Sequence, residues 1–231
     1  MDASNPGQDV SDPDPQEGPL WLALALMALA GCVDATGFLK LGHLFVSFMS
    51  GDSTQVAVSL AERRWGEASQ PAAVIALFLL GAFSGPLVAA AAGDTRRRPV
   101  LLLLQAVFVS AASWVGGTEI DGPRIGAAVG LAAFAMGLQN TVMQRVGTVQ
   151  VHPFVTSNIV GFAQGVAHVV LGKQSRGWVR HGLLWVSLVA GGAVGAKLYG
   201  RFGLRAWDVA ALGYVLLSLR EFTSRDRGPG A

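Results

Sequence analysis

Four polar residues stand where an apolar chain should avoid them: Asp34, Asp52, Asn140 and Asn158. Each lies in or beside a stretch apolar enough to be buried in a bilayer. An ionisable group at that depth is costly and is a functional candidate by default. Asp34 sits deep in the apolar run 19–39, and Asp52 sits at a polar break in 44–62. Asn140 and Asn158 each follow their acidic counterpart by 106 residues. Around them Ser50, Thr54, Gln139, Thr156 and Ser157 offer neutral hydrogen bonds. Such a set suits non-covalent capture of a small solute, or of a proton by the acids. It would equally serve as interhelical glue, since buried polar side chains often join helices. Both readings stay open at the level of sequence.

Covalent chemistry fits poorly. No GxSxG, P-loop or GxGxxG pattern occurs. Two acids in an apolar chain raise the possibility of an intramembrane aspartyl protease, which needs facing carboxylates that share a proton. The Gly-x-Gly-Asp pattern of that class is absent, because Met49 precedes Ser50-Gly51-Asp52. The four histidines, His43, His152, His168 and His181, are scattered, without HxxxH or HExxH spacing. The single cysteine, Cys32, allows no intrachain disulfide. The expectation is therefore no enzyme, no cofactor and no metal.

These residues need elements to hold them, and composition says which kind. Of 231 residues 52% are hydrophobic and 14% charged, against about 25% charged in a soluble domain. That excludes an ordinary soluble enzyme, a disordered chain and a coiled coil. Glycine, at 30 residues, is abundant, as membrane helices allow. The net charge of +2 gives no reason to invoke nucleic acid; lipid headgroups are a sufficient partner.

Six runs are long and apolar enough to span: 19–39, 72–92, 98–116, 125–143, 181–199 and 205–220. At ~1.5 Å per residue, a 21-residue run reaches the ~30 Å of a hydrocarbon core. Trp21, Trp65, Trp114, Trp178 and Trp207 stand at or near run ends, as an interfacial aromatic belt would have them. Two further stretches, 44–62 and 151–172, are apolar but broken by Ser50-Gly51-Asp52 and Thr156-Ser157-Asn158. The breaks read as helix N-caps, so the stretches are either kinked spans or re-entrant segments. Pro86 is expected to kink its helix. Residues 1–18, acidic and proline-containing, read as a disordered tail, and 221–231 as a flexible one. Leu29-Ala30-Gly31-Cys32 resembles a lipoprotein cleavage box, but the residues before it are acidic where a secretory signal needs positive charge. The first run is expected to be a retained helix.

The chain also matches itself. Ala30-Gly31-Cys32-Val33-Asp34 falls on Met136-Gly137-Leu138-Gln139-Asn140, and Ser50-Gly51-Asp52 on Thr156-Ser157-Asn158, both at an offset of 106. Gly81-x-x-x-Gly85 falls on Gly191-x-x-x-Gly195 at 110. These glycine pairs would let helix backbones approach closely. The expected domain, 19–220, is thus two repeats, about 20–116 and 125–220. With re-entrant breaks each repeat has three spans, and the halves are inverted. Loop charge leans that way, with ten Lys or Arg on the inner side against six outside in a six-span arrangement. The expectation is an all-α polytopic bundle in the bacterial inner membrane, with cytoplasmic termini.

At these motifs the chain resembles the YoaK family of bacterial integral membrane proteins, a family of unknown function. The resemblance rests on Gly31-Cys-Val-Asp34-Ala-Thr-Gly-Phe38-Leu-Lys-Leu-Gly42, Phe45-Val-Ser-Phe-Met-Ser-Gly-Asp52 and Ala135-Met-Gly-Leu-Gln-Asn140, with Phe154-Val-Thr-Ser-Asn158 looser. It covers about residues 20–220. Where this chain has Ser50-Gly51-Asp52, the family usually has Thr-Gly-Asn, so the acid at 52 is not a family-wide feature. The resemblance implies a membrane protein and carries no substrate. The expected function is a small-solute transporter or permease-like protein with its site between the repeats. A non-transporting scaffold or accessory subunit is the alternative, and an intramembrane enzyme a remote one.

Overall fold

The structure is a computed structural model that describes residues 19–40, 44–117, 123–143, 155–173 and 177–226. The tail 1–18, residues 227–231 and the histidines His43 and His152 lie outside the described residues. Among the described residues all regular structure is helical: α1 (Leu20–Lys40), α2 (Met49–Ala61), α3 (Trp65–Gly116), α4 (Pro123–Met143), α5 (Val155–Val170), α6 (Gly177–Phe202), a 3-10 turn (Gly203–Arg205) and α7 (Ala206–Asp226). Four helical stretches are long and apolar enough to cross a membrane: Leu20–Lys40, Trp65–Gly116, Arg124–Met143 and Gly177–Ser224.

Two of the four are composite. The 52-residue α3 has one residue with non-helical backbone, Gly93, at φ 73° and ψ 165°. Only glycine adopts such a conformation readily. The backbone stays helical through Pro86, so the break lies at Gly93 and not at the proline. α6 and α7 meet at the 3-10 turn, where Gly203 has φ 57°. The last helix runs on to Asp226, past the expected boundary at 220, because Glu221 is buried in the bundle.

Helix packing follows the glycines. A Cβ on Gly191 would strike the carbonyl of Ala28, and one on Gly195 the carbonyl of Cys32. Gly31 in turn lies against the carbonyl of Leu188 and the amide of Gly192. This is the crossing of α1 with α6. The crossing of α4 with α3 is built alike: Gly81 lies against the Phe134 carbonyl, Gly85 against Thr141, and Gly137 against the Phe78 carbonyl and the Ala82 amide. Such backbone contact is how small residues join membrane helices.

Among the described helices, α1 packs on α4, α6 and α7, and α4 packs on α1 and α3. Each of these two helices therefore finds its helical neighbours in the opposite half of the chain. The short helices stay local, α2 on α3 and α5 on α6.

The centre of the bundle is closed by one tryptophan and one tyrosine. Trp207, fully buried, donates its indole N–H to the Val33 carbonyl at 3.0 Å. It is a core residue joining α7 to α1 and not the interfacial anchor its position at a run end suggests. Trp65 and Trp114, at 68% and 76% exposure, fit the interfacial role. Tyr214 donates to Gln139 Oε1 at 2.5 Å, and Gln139 Nε2 donates to the Leu26 carbonyl at 3.0 Å. The amide thus ties α4 to α7 and α1.

Candidate functional site

Asp34 is fixed by the turn that leads into α2. Its Oδ1 accepts the backbone N–H groups of Val46 (2.7 Å) and Ser47 (2.9 Å), and its Oδ2 accepts the Ser47 hydroxyl (2.6 Å). Asp52, in the first turn of α2, reaches back and accepts the Phe45 N–H at 3.1 Å. Two carboxylates therefore satisfy three consecutive backbone donors at 45–47, in a segment that is neither helix nor strand. Irregular backbone inside a membrane protein must be satisfied by the protein itself, and charged acceptors do this more strongly than neutral ones. The other Asp52 oxygen, Oδ2, is buried without a hydrogen-bond partner.

At α2 the expected capping residues, Ser50 and Asp52, do not cap. α2 begins at Met49 with Phe48 in the cap position and no side-chain cap bond. Ser53 and Thr54 turn their hydroxyls back onto the carbonyls of Met49 and Ser50. Thr54 is thereby engaged on its own helix. Asp34, twelve and thirteen positions before Val46 and Ser47, instead holds the turn that precedes α2, a link that local reading does not make.

The second half treats its amides differently. Asn140 donates to the Met136 carbonyl of its own helix at 3.0 Å. Asn158, 1% exposed, places Oδ1 3.0 Å from His181 Nδ1 and so joins α5 to α6. Ser157 is exposed. The segment 144–154, which holds the counterparts of Phe45–Phe48, lies outside the described residues.

A cavity of about 140 Å³ opens where these elements meet. Ser47, Phe48, Met49 and Ser50 form one wall, and Gln139, Asn140, Val155 and Thr156 the opposite one. Met27, Ala30, Phe78, Met136, Met143 and Leu188 complete it. Of the residues singled out by sequence, Ser50, Gln139, Asn140 and Thr156 line this cavity. Asp34 lines a separate, almost wholly apolar groove with Phe38, Phe45 and Gly192. Asp52, Thr54, Ser157 and Asn158 line neither. The methionines and Ser47 carry no sequence signal of their own; their place follows only from which helices cross. Among the described residues no three His, Cys, Asp or Glu side chains cluster as a metal site would require.

Long apolar helices crossing on glycine, with buried polar groups satisfied internally, define a helical integral membrane protein. The chain belongs to the family described as protein of unknown function (DUF1275), whose model matches residues 22–219. It is similar to a protein of Rhizobium meliloti (strain 1021) described as a UPF0700 transmembrane protein, with 31% identity over 204 residues, 88% of this chain and 86% of the relative. No solved structure matches it.

Proposed function

We propose that this protein is a small permease, built from two equivalent halves, that moves a small solute through the cavity between them. The observation that supports this reading is the pairwise make-up of the wall. Ala30 and Met136, Met49 and Val155, and Ser50 and Thr156 stand 106 residues apart, and Phe78 and Leu188 stand 110 apart. Eight of the fourteen lining residues are thus four pairs of equivalent positions. The glycine crossings obey the same arithmetic. Gly31 meets Leu188 and Gly192 as Gly137 meets Phe78 and Ala82, and Gly191 meets Ala28 as Gly81 meets Phe134. A cavity on the axis relating two halves is where repeat-built transporters hold their substrate.

The lengths support a reading of six spans. The 52 residues of α3 would reach ~78 Å if straight, more than twice the ~30 Å core. The break at Gly93 therefore divides two crossings, 65–92 and 94–116, and the turn at 203–205 divides two more. With 13 and 16 residues, α2 and α5 fall short of a full crossing and are read as re-entrant. Six spans put both termini on one side, and the arginine-rich loops make that side the cytoplasm of an inner-membrane protein. Asp34 acts here chiefly by positioning, since the turn it holds forms one wall of the cavity. A proton on Asp34 would remove one of its acceptor sites and loosen that wall, which is the route by which a proton could be coupled to the solute.

The alternative is a scaffold, in which the cavity is a packing gap. Ser50→Cys and Thr156→Cys, each in a Cys32→Ala background, separate the two. A membrane-impermeant maleimide is applied to right-side-out and to inverted vesicles. A permease that exposes its cavity alternately is labelled at both positions from both sides. Labelling from one side only, or from neither, would support the scaffold and overturn the permease.

A further inference from the structure

The lining of the cavity carries information about what it holds. All four methionines that follow the initiator, Met27, Met49, Met136 and Met143, border it, and they come from three different helices. The chain has five methionines in 231 residues, so their convergence on one small space is not a matter of composition. Methionine is unbranched and polarisable; it adapts to the shape of an occupant and makes favourable contacts with aromatic rings. Phe48 and Phe78 add two aromatic faces.

Among the described residues the polar part of the wall is neutral, as none of the fourteen that line it is charged. The two acids nearest in sequence to the wall, Asp52 and Asp34, are not among its lining residues: Asp34 has both oxygens engaged by the 46–47 turn, and Asp52 accepts the Phe45 N–H. An ion in this space would meet no opposite charge among the described lining residues, and leaving an ion unpaired in a low-dielectric interior is strongly unfavourable. What the wall does offer is an amide and hydroxyls. Asn140 has one N–H on the Met136 carbonyl, which leaves its second N–H and its oxygen for an occupant. Ser47 donates its hydroxyl proton to Asp34 and so faces the cavity as an acceptor. Gln139 is held by Tyr214 and the Leu26 carbonyl and serves as a rigid wall. The volume, about 140 Å³, is close to that of an engineered apolar cavity of ~150 Å³ that admits benzene.

We infer that the cavity takes compact uncharged solutes that join a single ring or similar apolar body to an amide-like hydrogen-bonding edge. This rests on the permease reading for its physiological meaning, but binding itself does not depend on transport. The competing occupant is a soft monovalent cation, for which thioethers alone are adequate ligands.

Three probes of one shape and different charge test the inference: benzamide (neutral), benzoate (anionic) and benzamidinium (cationic). Binding to the full chain in detergent is measured calorimetrically, and silver(I) is titrated in parallel. Benzamide is expected to bind saturably and at least about tenfold more tightly than either ion, a difference readily resolved. Asn140→Leu should weaken benzamide about tenfold by removing the polar edge. The volume-conserving pair Met136→Leu with Met143→Leu should leave the fold intact and change benzamide affinity only a few-fold. Equal or tighter binding of benzoate or benzamidinium overturns the inference, as does failure of benzamide to bind. Silver(I) binding that the methionine pair abolishes, with benzamide inert, assigns the cavity to a soft metal instead. If benzamide binds but the cysteine labelling is one-sided, the ligand class stands and the permease falls. If labelling is two-sided but a charged probe is preferred, the permease stands and the class falls.

Discussion

Asp34 illustrates how a residue that invites a catalytic or proton-carrying reading can be engaged structurally. Its three hydrogen bonds to Val46 and Ser47 hold a non-helical segment whose donors have no other described acceptor. Replacing Asp34 with Ala leaves two backbone N–H groups without their charged acceptor, a loss of about 1–3 kcal/mol. A thermal melt in detergent should show a lower midpoint, with Ser47→Ala, which removes one bond, falling between that variant and the parent. Asp34→Asn keeps an acceptor for the two N–H groups and should be milder than Asp34→Ala. If the three variants melt alike, the turn does not depend on this carboxylate. Sequence alone marked Asp34 and Asp52 as unusual and set Asn140 and Asn158 at a common offset of 106 from them. It did not show that the acids bond backbone while Asn158 bonds His181, because nothing in the side chains of 45–47 marks their backbone N–H groups as partners of Asp34 and Asp52. Nor could it separate Ser50 and Thr156, which face the cavity, from Thr54, which turns back on its own helix.

At the scale of elements the glycines divide by what surrounds them. A Cβ at Gly137 would meet the Phe78 carbonyl and the Ala82 amide, both backbone atoms that cannot move aside. Gly137→Ala should therefore cost about 1–3 kcal/mol, as overpacking of a tight contact does. Gly126, on the same helix, has nothing within 4 Å of a Cβ, and Gly126→Ala should be neutral or slightly stabilising from helix propensity. Fluorescence-detected size-exclusion before and after heating would separate them. Gly93 is a third kind: a Cβ there meets nothing, but φ is positive. Gly93→Ala should cost about 1–2 kcal/mol from backbone conformation alone, and an equal melt for that variant would show that the break at 93 relaxes freely. The apolar runs were legible because length and hydropathy are local properties of the chain. The joint at Gly93 falls between the runs 72–92 and 98–116, where the sequence had put a boundary, while Pro86 stays within the helix. Trp207 misled: its place at a run end suggests an interface, whereas only the crossing of α7 with α1 makes it a core residue.

At the scale of the whole molecule the orientation of the termini can be measured directly. A cytoplasm-active reporter fused after Ala231 should be active, and a reporter that works only outside should be silent, because the arginines of 96–98 and 220–227 are expected to stay inside. The opposite pattern would reverse the six-span orientation. The order of the long apolar helices could be read from sequence, but not the way the two parts of the chain interlock. The structure places α1 on α6 and α7, and α4 on α3, contacts that no local pattern specifies. That exchange has a consequence for biogenesis. When α1 first enters the bilayer, the helices against which its glycine face must close have yet to leave the ribosome. It must wait in lipid with Gly31 uncovered, open to capture by insertion factors or to degradation as an orphan. Neither half made alone has both sides of either crossing, so each should be short-lived in a cell. Residues 1–117 and 123–231, made as separate chains in one cell, should rescue each other from proteolysis.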